Sequence, residues 1–544
     1  MRKGMQPALI LALAGIAAGS ACVLGACSSS SSSGSAPEPK TTAVGGRDGR
    51  PNVIVIQADD QTAAQFDRRV MPRTFKLLVD RGTRFRDYIA TTALCCPSRA
   101  SLITGQYAHN HGVFANGGDE GGYRALRDKG NVLPVWLEQA GYNTIHLGKF
   151  LNGYWKVGDD PAAVAPGWDD WQTLINKEDA YYDYDLSNNG QVVHFGSKPD
   201  DYVTRVLERK AVQGVRDYSR VNAPFYLQFD ERAPHVEHNK SGPCAGHTRY
   251  PLPAPQDQDK FRHARLPDIP SFNEKRMGDK PKFLRQSPKL SPDEKREISK
   301  HWRCSLASLA AVDRSVARVY RAVKKEGELN RTVFIYISDN GQFFGEHRVA
   351  TGKVLPYEEA LRQPLVIKMP KRYREGAARI RNIRDAVGNI DLAPTIMDLA
   401  KARPCPPDGR CRTMDGRSLL PLLTGRGGWP VGRPLLSEYR VLVPHRYGTC
   451  NFAAVRTPTT LYAEHYSVTD LRTNKCADAQ PPEVERYDLK RDPFEMRNLC
   501  RGGRLVDCPP GSSQRRLEDD LRRLRDCAGI KGRDERVDGR PFCS

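Results

Sequence analysis

Five short runs rich in β-branched and aromatic residues recur along the chain: NVIVIQ from residue 52, NTIHLG from 143, PFYLQF from 224, TVFIYIS from 332 and PLVIKM from 364. Their apolar residues stand at consecutive rather than alternating positions, as expected of strands covered on both faces. Between them lie stretches with helical spacing: MPRTFKLLVDRG, VLPVWLEQAG and SLASLAAVDRSVARVYRAVKKEG. Strands alternating with helices predict an α/β fold, a large, mostly parallel mixed sheet sandwiched by helices. In such a sheet functional side chains gather beyond the carboxyl ends of the strands.

The chain is long enough for two structural units or for one large unit with a satellite. Near residue 400 the texture changes to the turn-rich KARPCPPDGRC, so the expected organisation is a main domain over 51–400 and a smaller, Cys-rich α+β domain over 401–544. The stretch SSQRRLEDDLRRLRDC predicts a late helix, and no internal repeat is visible. Residues 250–300, rich in Pro, Lys and Arg, read as a surface excursion between the strand at 225 and a helix beginning at 305.

The first residues, a basic start followed by a Leu- and Ala-rich stretch, read as an export signal over 1–26. Leu24-Gly25-Ala26-Cys27 looks like a lipobox, which predicts a lipid anchor at Cys27 and a bacterial cell-surface or extracellular location. The Ser-rich segment 27–50 then serves as a flexible tether. Of 14 cysteines, Cys22 and Cys27 fall in the export segment and Cys95 and Cys96 stand side by side. The remaining ten form an even set in an exported chain, which predicts several disulfides, with Cys405 and Cys411 spaced for a short loop. A net charge of +20 favours anionic partners. No basic cluster interleaved with aromatics marks a nucleic-acid surface, and nothing in the pattern specifies an oligomer.

Two strand runs end in the same manner, in Asp59-Asp60 and in Asp339-Asn340. Oxygen-bearing side chains converging at sheet termini suit a hard divalent cation such as Ca2+ or Mg2+. The thiols of Cys95-Cys96-Pro97-Ser98-Arg99 are harder to place. A phosphatase-type thiolate wants an arginine six residues later, but those positions are Ser101 and Leu102. TGKV does not complete a phosphate-binding loop, and the only support for zinc is His109 and His111 nearby.

The run Cys95-x-Pro97-Ser98-Arg99, followed by Leu102, Thr104 and Gly105, resembles the sulfatase signature. The likeness continues in order through PNVIVIQADDQ, GKFLNGY, APHVEH, ISDNGQFFGEH, TGKVLPYEEALRQPLVI, NIDLAPTIMDLA, DGRSLLPLLTG and YDLKRDPFEMRNL. YYDYDLSNNG and GELNRTVFIYISDNG look closest to the N-acetylglucosamine-6-sulfatase and arylsulfatase branch. The resemblance implies an alkaline-phosphatase-like fold and hydrolysis of a sulfated carbohydrate or aryl sulfate to an alcohol and sulfate. It implies that a formylglycine-generating enzyme oxidises Cys95, not Cys96, to formylglycine (3-oxoalanine). One hydroxyl of the hydrated aldehyde then attacks sulfur, and the other later expels sulfate.

Carried over by position, the likeness makes Asp59, Asp60, Asp339 and Asn340 ligands of the cation, with the modified Cys95 beside them. Arg99 would steady the hydrate, Lys149 and Lys353 would grip sulfate oxygens, and His235 would protonate the leaving oxygen. Many members carry a histidine two residues past the first lysine, where this chain has Leu151; Asn152 is the polar candidate to stand in. His111 and His347 lie in motif regions and are candidates to line the pocket. Two other readings share parts of this pattern: a formylglycine-dependent phosphonate monoester or phosphodiester hydrolase, and a surface lipoprotein that binds sulfated glycans without catalysis.

Overall fold

The computed structural model describes residues 49–237, 244, 249–374, 376–441, 448–470 and 472–544. The export segment, Cys27, most of the tether and the last histidine of APHVEH lie outside the described residues.

Ten strands form one sheet: β1 (Asn52–Ala58), β2 (Thr83–Ile89), β3 (Asn143–Gly148), β4 (Asp170–Ile175), β5 (Tyr184–Asn188), β6 (Gln191–Phe195), β7 (Phe225–Asp230), β8 (Thr332–Ser338), β9 (Arg362–Lys368) and β10 (Asn382–Gly388). Their spatial order is β10-β2-β9-β8-β1-β7-β3-β4-β5-β6. The central run β8-β1-β7-β3-β4 is parallel throughout, whereas β9 runs against both its neighbours and β5 and β6 extend the far edge as antiparallel strands. All five apolar runs read from the sequence are strands of this sheet.

Period-two alternation sends side chains of each central strand to two cores. Val53, Val55, Val333, Ile335 and Ile337 pack with Leu133, Trp136, Leu392 and Ile396 on one face. Ile54, Ile56, Phe334 and Tyr336 pack on the other with Val203, Leu207, Leu309, Val312 and Val316. The sheet is therefore sandwiched, with helices Leu133–Gln139 and Leu392–Ala400 on one side and Val203–Tyr218 and Pro292–Lys325 on the other.

The helix expected from 305 begins at Pro292 instead. Ser291 accepts from the Glu294 amide while Glu294 returns a carboxylate to the Ser291 amide, a capping box that the sequence SPDE carries. Nor is the stretch before it wholly superficial. Ser271, Glu274, Lys280, Phe283 and Leu284 are buried, because this segment passes under the second sheet rather than over the surface.

That second sheet is antiparallel, β11 (Leu435–Arg440), β12 (Thr449–Arg456), β13 (Thr460–Asp470) and β14 (Lys475–Asp488) in sequential order. Its apolar residues share a third core with Tyr357, Leu361 and the late helix Ser512–Leu524. Disulfides join Cys244–Cys304, Cys405–Cys411, Cys450–Cys476, Cys500–Cys508 and Cys527–Cys543. All ten cysteines expected to pair do so, and Cys95 and Cys96 are free and buried.

Candidate active site

Four adjacent parallel strands, β8, β1, β7 and β3, deliver their carboxyl ends to one place. β8 ends at Asp339-Asn340 and β1 at Asp59-Asp60, while β7 leads through Asp230 to Arg232 and His235 and β3 runs into Lys149. Gly148 makes the last turn possible: its φ is +98°, and a Cβ there would lie 1.9 Å from the Asp230 carbonyl oxygen. Asp60 adopts φ +70°, a left-handed conformation that Asp tolerates better than most residues.

The helix Cys95–Thr104 supplies the remaining parts. Cys95 and Arg99, four residues apart, share its face toward the strand ends. Pro97 falls in the first turn, where a missing N–H costs nothing, and Gly105 closes the helix at φ +67°. Cys96 points away, into the core with Ala100, Leu133 and Trp136.

Cys95 Sγ lies 2.8 Å from Lys353 Nζ, 3.5 Å from Asp59 Oδ1 and 3.8 Å from Asp60 Oδ1. Lys353 also contacts Asp60, and Lys149 Nζ is 2.8 Å from Asp59 Oδ2. Arg99, 1% exposed, reaches Asp339 Oδ2 through Nε at 2.9 Å and Nη2 at 2.9 Å, and donates to the Lys149 carbonyl at 2.6 Å. Its guanidinium therefore stands behind the carboxylates and braces them. His235 Nε2 is 3.8 Å from Asp60 Oδ2, with Nδ1 2.9 Å from the Val236 carbonyl oxygen.

Burial, partly opposed by Lys149 and Lys353, drives the Cys95 thiol far above the ordinary range, so at neutral pH it is not a thiolate. The same burial pushes Cys96 up to about 12. Burial disfavours charge on Lys149 and Lys353 too, but Asp59 and Asp60 outweigh it and hold both lysines protonated. Asp339, buried and facing Asp59 and Asp60, is pushed up to about 6 despite Arg99. Burial, helped by the Arg232 charge, pushes His235 down to about 3.

One oxygen each from Asp59, Asp60 and Asp339 lies within 4.8 Å of the others. Asn340 donates to Asp60 Oδ1 at 2.6 Å, and its own buried Oδ1 has no partner. Three carboxylates and an orphaned amide oxygen fit a hard divalent cation.

Other candidates stand apart from this cluster. His111 is buried, with Nε2 3.0 Å from Ser101 Oγ and Nδ1 accepting the Val113 amide, so both ring nitrogens serve local structure. His347 bonds Glu274 rather than any residue around Cys95. Leu151 packs in the core, and Asn152 donates to Glu178 Oε1 at 3.0 Å on the border of the site. Two residues not singled out in the sequence do join it. Arg232 Nη1 is 3.6 Å from Asp59 and Nη2 is 3.4 Å from Asp179, whose carboxylate is 3.7 Å from Lys149. Arg232 lies two residues past the end of β7 and three before His235, a place beyond a strand end that could have signalled it; Asp179 comes from a loop with no such signal.

The sulfatase family model matches residues 51–402, more than half of the chain. The chain belongs to the sulfatase family. Sulfatases are sulfuric ester hydrolases, and the architecture is that of their alkaline-phosphatase-like fold. A second model, N-sulphoglucosamine sulphohydrolase C-terminal, matches residues 345–508. This sulfatase is 33% identical over 394 residues to an extracellular sulfatase SULF-1 homolog of Drosophila melanogaster, covering 71% of this chain but only 33% of that relative's length. It is 31% identical over 481 residues to an arylsulfatase of Volvox carteri, covering 83% of this chain and 71% of the relative. It is 29% identical over 483 residues to N-acetylglucosamine-6-sulfatase of Homo sapiens, at 83% and 81% coverage. A solved protein in complex with its substrate D-glucosamine-2-N,6-O-disulfate superposes with a TM-score of 0.67 at 24% identity, over 87% of this chain and 97% of that one. The phosphonate monoester hydrolase of Agrobacterium radiobacter superposes at 0.59 and 20% identity, over 83% and 92%. Both structural likenesses bear on the fold alone.

Proposed function

We propose that this sulfatase hydrolyses a sulfate ester of a carbohydrate, of the 6-O-sulfated glucosamine type, using Cys95 matured to formylglycine and a divalent cation, calcium by preference, held by Asp59, Asp60, Asp339 and Asn340. The observation that carries this reading is the convergence of Cys95, three carboxylates and two buried lysines at the ends of four adjacent strands. An unmodified thiol that burial keeps protonated is a poor nucleophile, which favours a chemically converted residue 95. Formylglycine, when formed, supplies an aldehyde hydrate as the attacking oxygen, and the cation supplies a Lewis acid that offsets the charge of sulfate.

The chain's own residues do the rest. Lys149 and Lys353 are held protonated beside residue 95, where the oxygens of a sulfate group must sit for attack on sulfur. Arg99 fixes Asp339 and, through the Lys149 carbonyl, the end of β3. Arg232 and Asp179 clamp the opposite side of Lys149 and Asp59. In the free protein His235 is neutral, with Nδ1 engaged by the Val236 carbonyl. On this reading an anionic ester raises the basicity of its Nε2, which takes a proton from solvent and passes it to the departing alkoxide.

We place the protein outside the cytoplasm, anchored by lipid at Cys27 and matured by a formylglycine-generating enzyme; five disulfides support an oxidising compartment. The proposed domain division remains 51–400 and 401–544. The test is a comparison of 4-nitrophenyl sulfate, 6-O-sulfated N-acetylglucosamine and a 4-nitrophenyl phosphonate ester as substrates. Faster turnover of the two sulfates supports the reading, and dominance of the phosphonate ester would replace it with the phosphonate hydrolase alternative.

A further inference from the structure

A second set of possible metal ligands, sharing no residue with the cluster around Cys95, faces inward with one unpartnered atom on each residue. One ligand atom each from His347, Glu359 and Glu495 lies within 4.8 Å of the others. His347 and Glu495 are fully buried, at 0% exposure. His347 Nδ1 is 2.7 Å from Glu274 Oε2, which places the proton on Nδ1 and leaves a lone pair on Nε2. That Nε2 has no hydrogen-bond partner. Glu359 accepts from Ser271 at one oxygen, 3.3 Å, and leaves Oε2 unpartnered. Glu495 accepts the Glu358 amide at one oxygen, 3.0 Å, and leaves Oε1 unpartnered.

Neighbouring cations make their hydrogen bonds elsewhere, although the charge of Arg456 also acts on Glu495. Lys280 Nζ lies 3.4 Å from Glu274 and 2.8 Å from the backbone oxygen of Glu495, and Arg456 Nε is 2.7 Å from Glu358. Three unpartnered polar atoms converging in a buried place are costly unless a proton or a cation is shared between them.

We propose that His347, Glu359 and Glu495 form a second metal site, for a divalent transition ion of the zinc type. One imidazole nitrogen and two carboxylates make a three-ligand N/O set of the kind zinc accepts, whereas calcium wants six to eight oxygens. Glu274 supplies the carboxylate that orients a metal-bound histidine through its other ring nitrogen. A cavity of about 120 Å³, lined by Glu346, Glu358 and Glu359 among others, borders the set at Glu359 and leaves room for a completing water there.

The position gives the site a purpose. His347 and Glu359 stand six residues either side of Lys353, and Glu495 follows β14. An ion bound by all three ties both ends of the Lys353 loop to the segment beyond the second sheet. The loop carries left-handed backbone at His347, Arg348 and, next to Lys353 itself, at the β-branched Val354, φ +88°. Such conformations persist only where the surroundings over-determine them, and the ion is one such restraint.

The test uses the full chain carrying Asp59→Asn and Asp339→Asn, which removes the proposed catalytic cation site, titrated with zinc and, as control, calcium. One equivalent of zinc and a raised melting temperature are expected, both lost when Glu359→Gln and Glu495→Gln are added. These isosteric changes remove charge without removing shape. Glu274→Gln should weaken zinc by roughly 10–100-fold, as loss of an orienting partner does. If the asparagine background folds poorly, the otherwise unaltered chain should lose one of two metal equivalents on the same glutamine changes. No zinc bound, or zinc stoichiometry unchanged by the two glutamine substitutions, would overturn the site and leave the proposed sulfatase chemistry untouched.

Discussion

The ammonium of Lys353 lies 2.8 Å from the sulfur of Cys95 while also contacting the Asp60 carboxylate. One cation thus bridges the proposed nucleophile position and a proposed metal ligand. Lys353→Ala should lower kcat on 4-nitrophenyl sulfate by about 10²–10³, the scale of losing one preorganised electrostatic contact. A loss below tenfold at saturating substrate would show that the contact does not act in the transition state.

The two adjacent cysteines should separate cleanly. Cys95→Ala should abolish turnover, because the proposed nucleophile is made from this thiol. Cys96→Ala removes a fully buried sulfur from the core and should cost stability on the order of 1 kcal/mol while leaving most of kcat. Melting curves and kcat of both variants check this, and an inactive but well-folded Cys96→Ala would contradict it.

Under the proposed cation site, Asp339 should make binding depend on pH. Burial and the facing Asp59 and Asp60 raise its carboxyl to about 6, so it is ionised at pH 7 and takes a proton as pH falls below that value. A cation must displace that proton, and affinity therefore drops on the acid side. The half-saturating calcium concentration for reactivating chelated enzyme should be roughly tenfold higher at pH 5 than at pH 7. A constant value over that range would remove Asp339 from the ligand set.

His235 can be tested through the leaving group. Nitrophenolate departs without a proton, whereas a sugar alkoxide needs one. His235→Gln should slow hydrolysis of the sulfated sugar by about 10²–10⁴ and that of 4-nitrophenyl sulfate far less. Equal losses on both substrates would make His235 a binding residue instead of a proton donor.

Much of this architecture was legible where one residue type has one use. The apolar runs at 52, 143, 224, 332 and 364 had to be doubly covered strands, and the acidic ends of those at 52 and 332 pointed to the site. β2, TRFRDYI, was not legible because it alternates charged and apolar residues beside β10 at the sheet margin. The helix start at Pro292 was written in SPDE, but the polar turn that follows masks the amphipathic period. Within the site, Asp59, Asp60, Asp339 and Asn340 were readable from their places after strands. Asp179 was not: it reaches Arg232 and Lys149 from a loop between β4 and β5, a contact made by tertiary packing. His111 looked functional in its motif and is held instead by Ser101 and the Val113 amide.

The most direct test is the mass of the peptide spanning residues 90–99 from protein purified from its native host in a preparation that hydrolyses sulfate esters. The account predicts residue 95 about 18 Da lighter than cysteine, as conversion of a thiol to an aldehyde requires, with Cys96 unchanged. An intact thiol at residue 95 in that active preparation would contradict it.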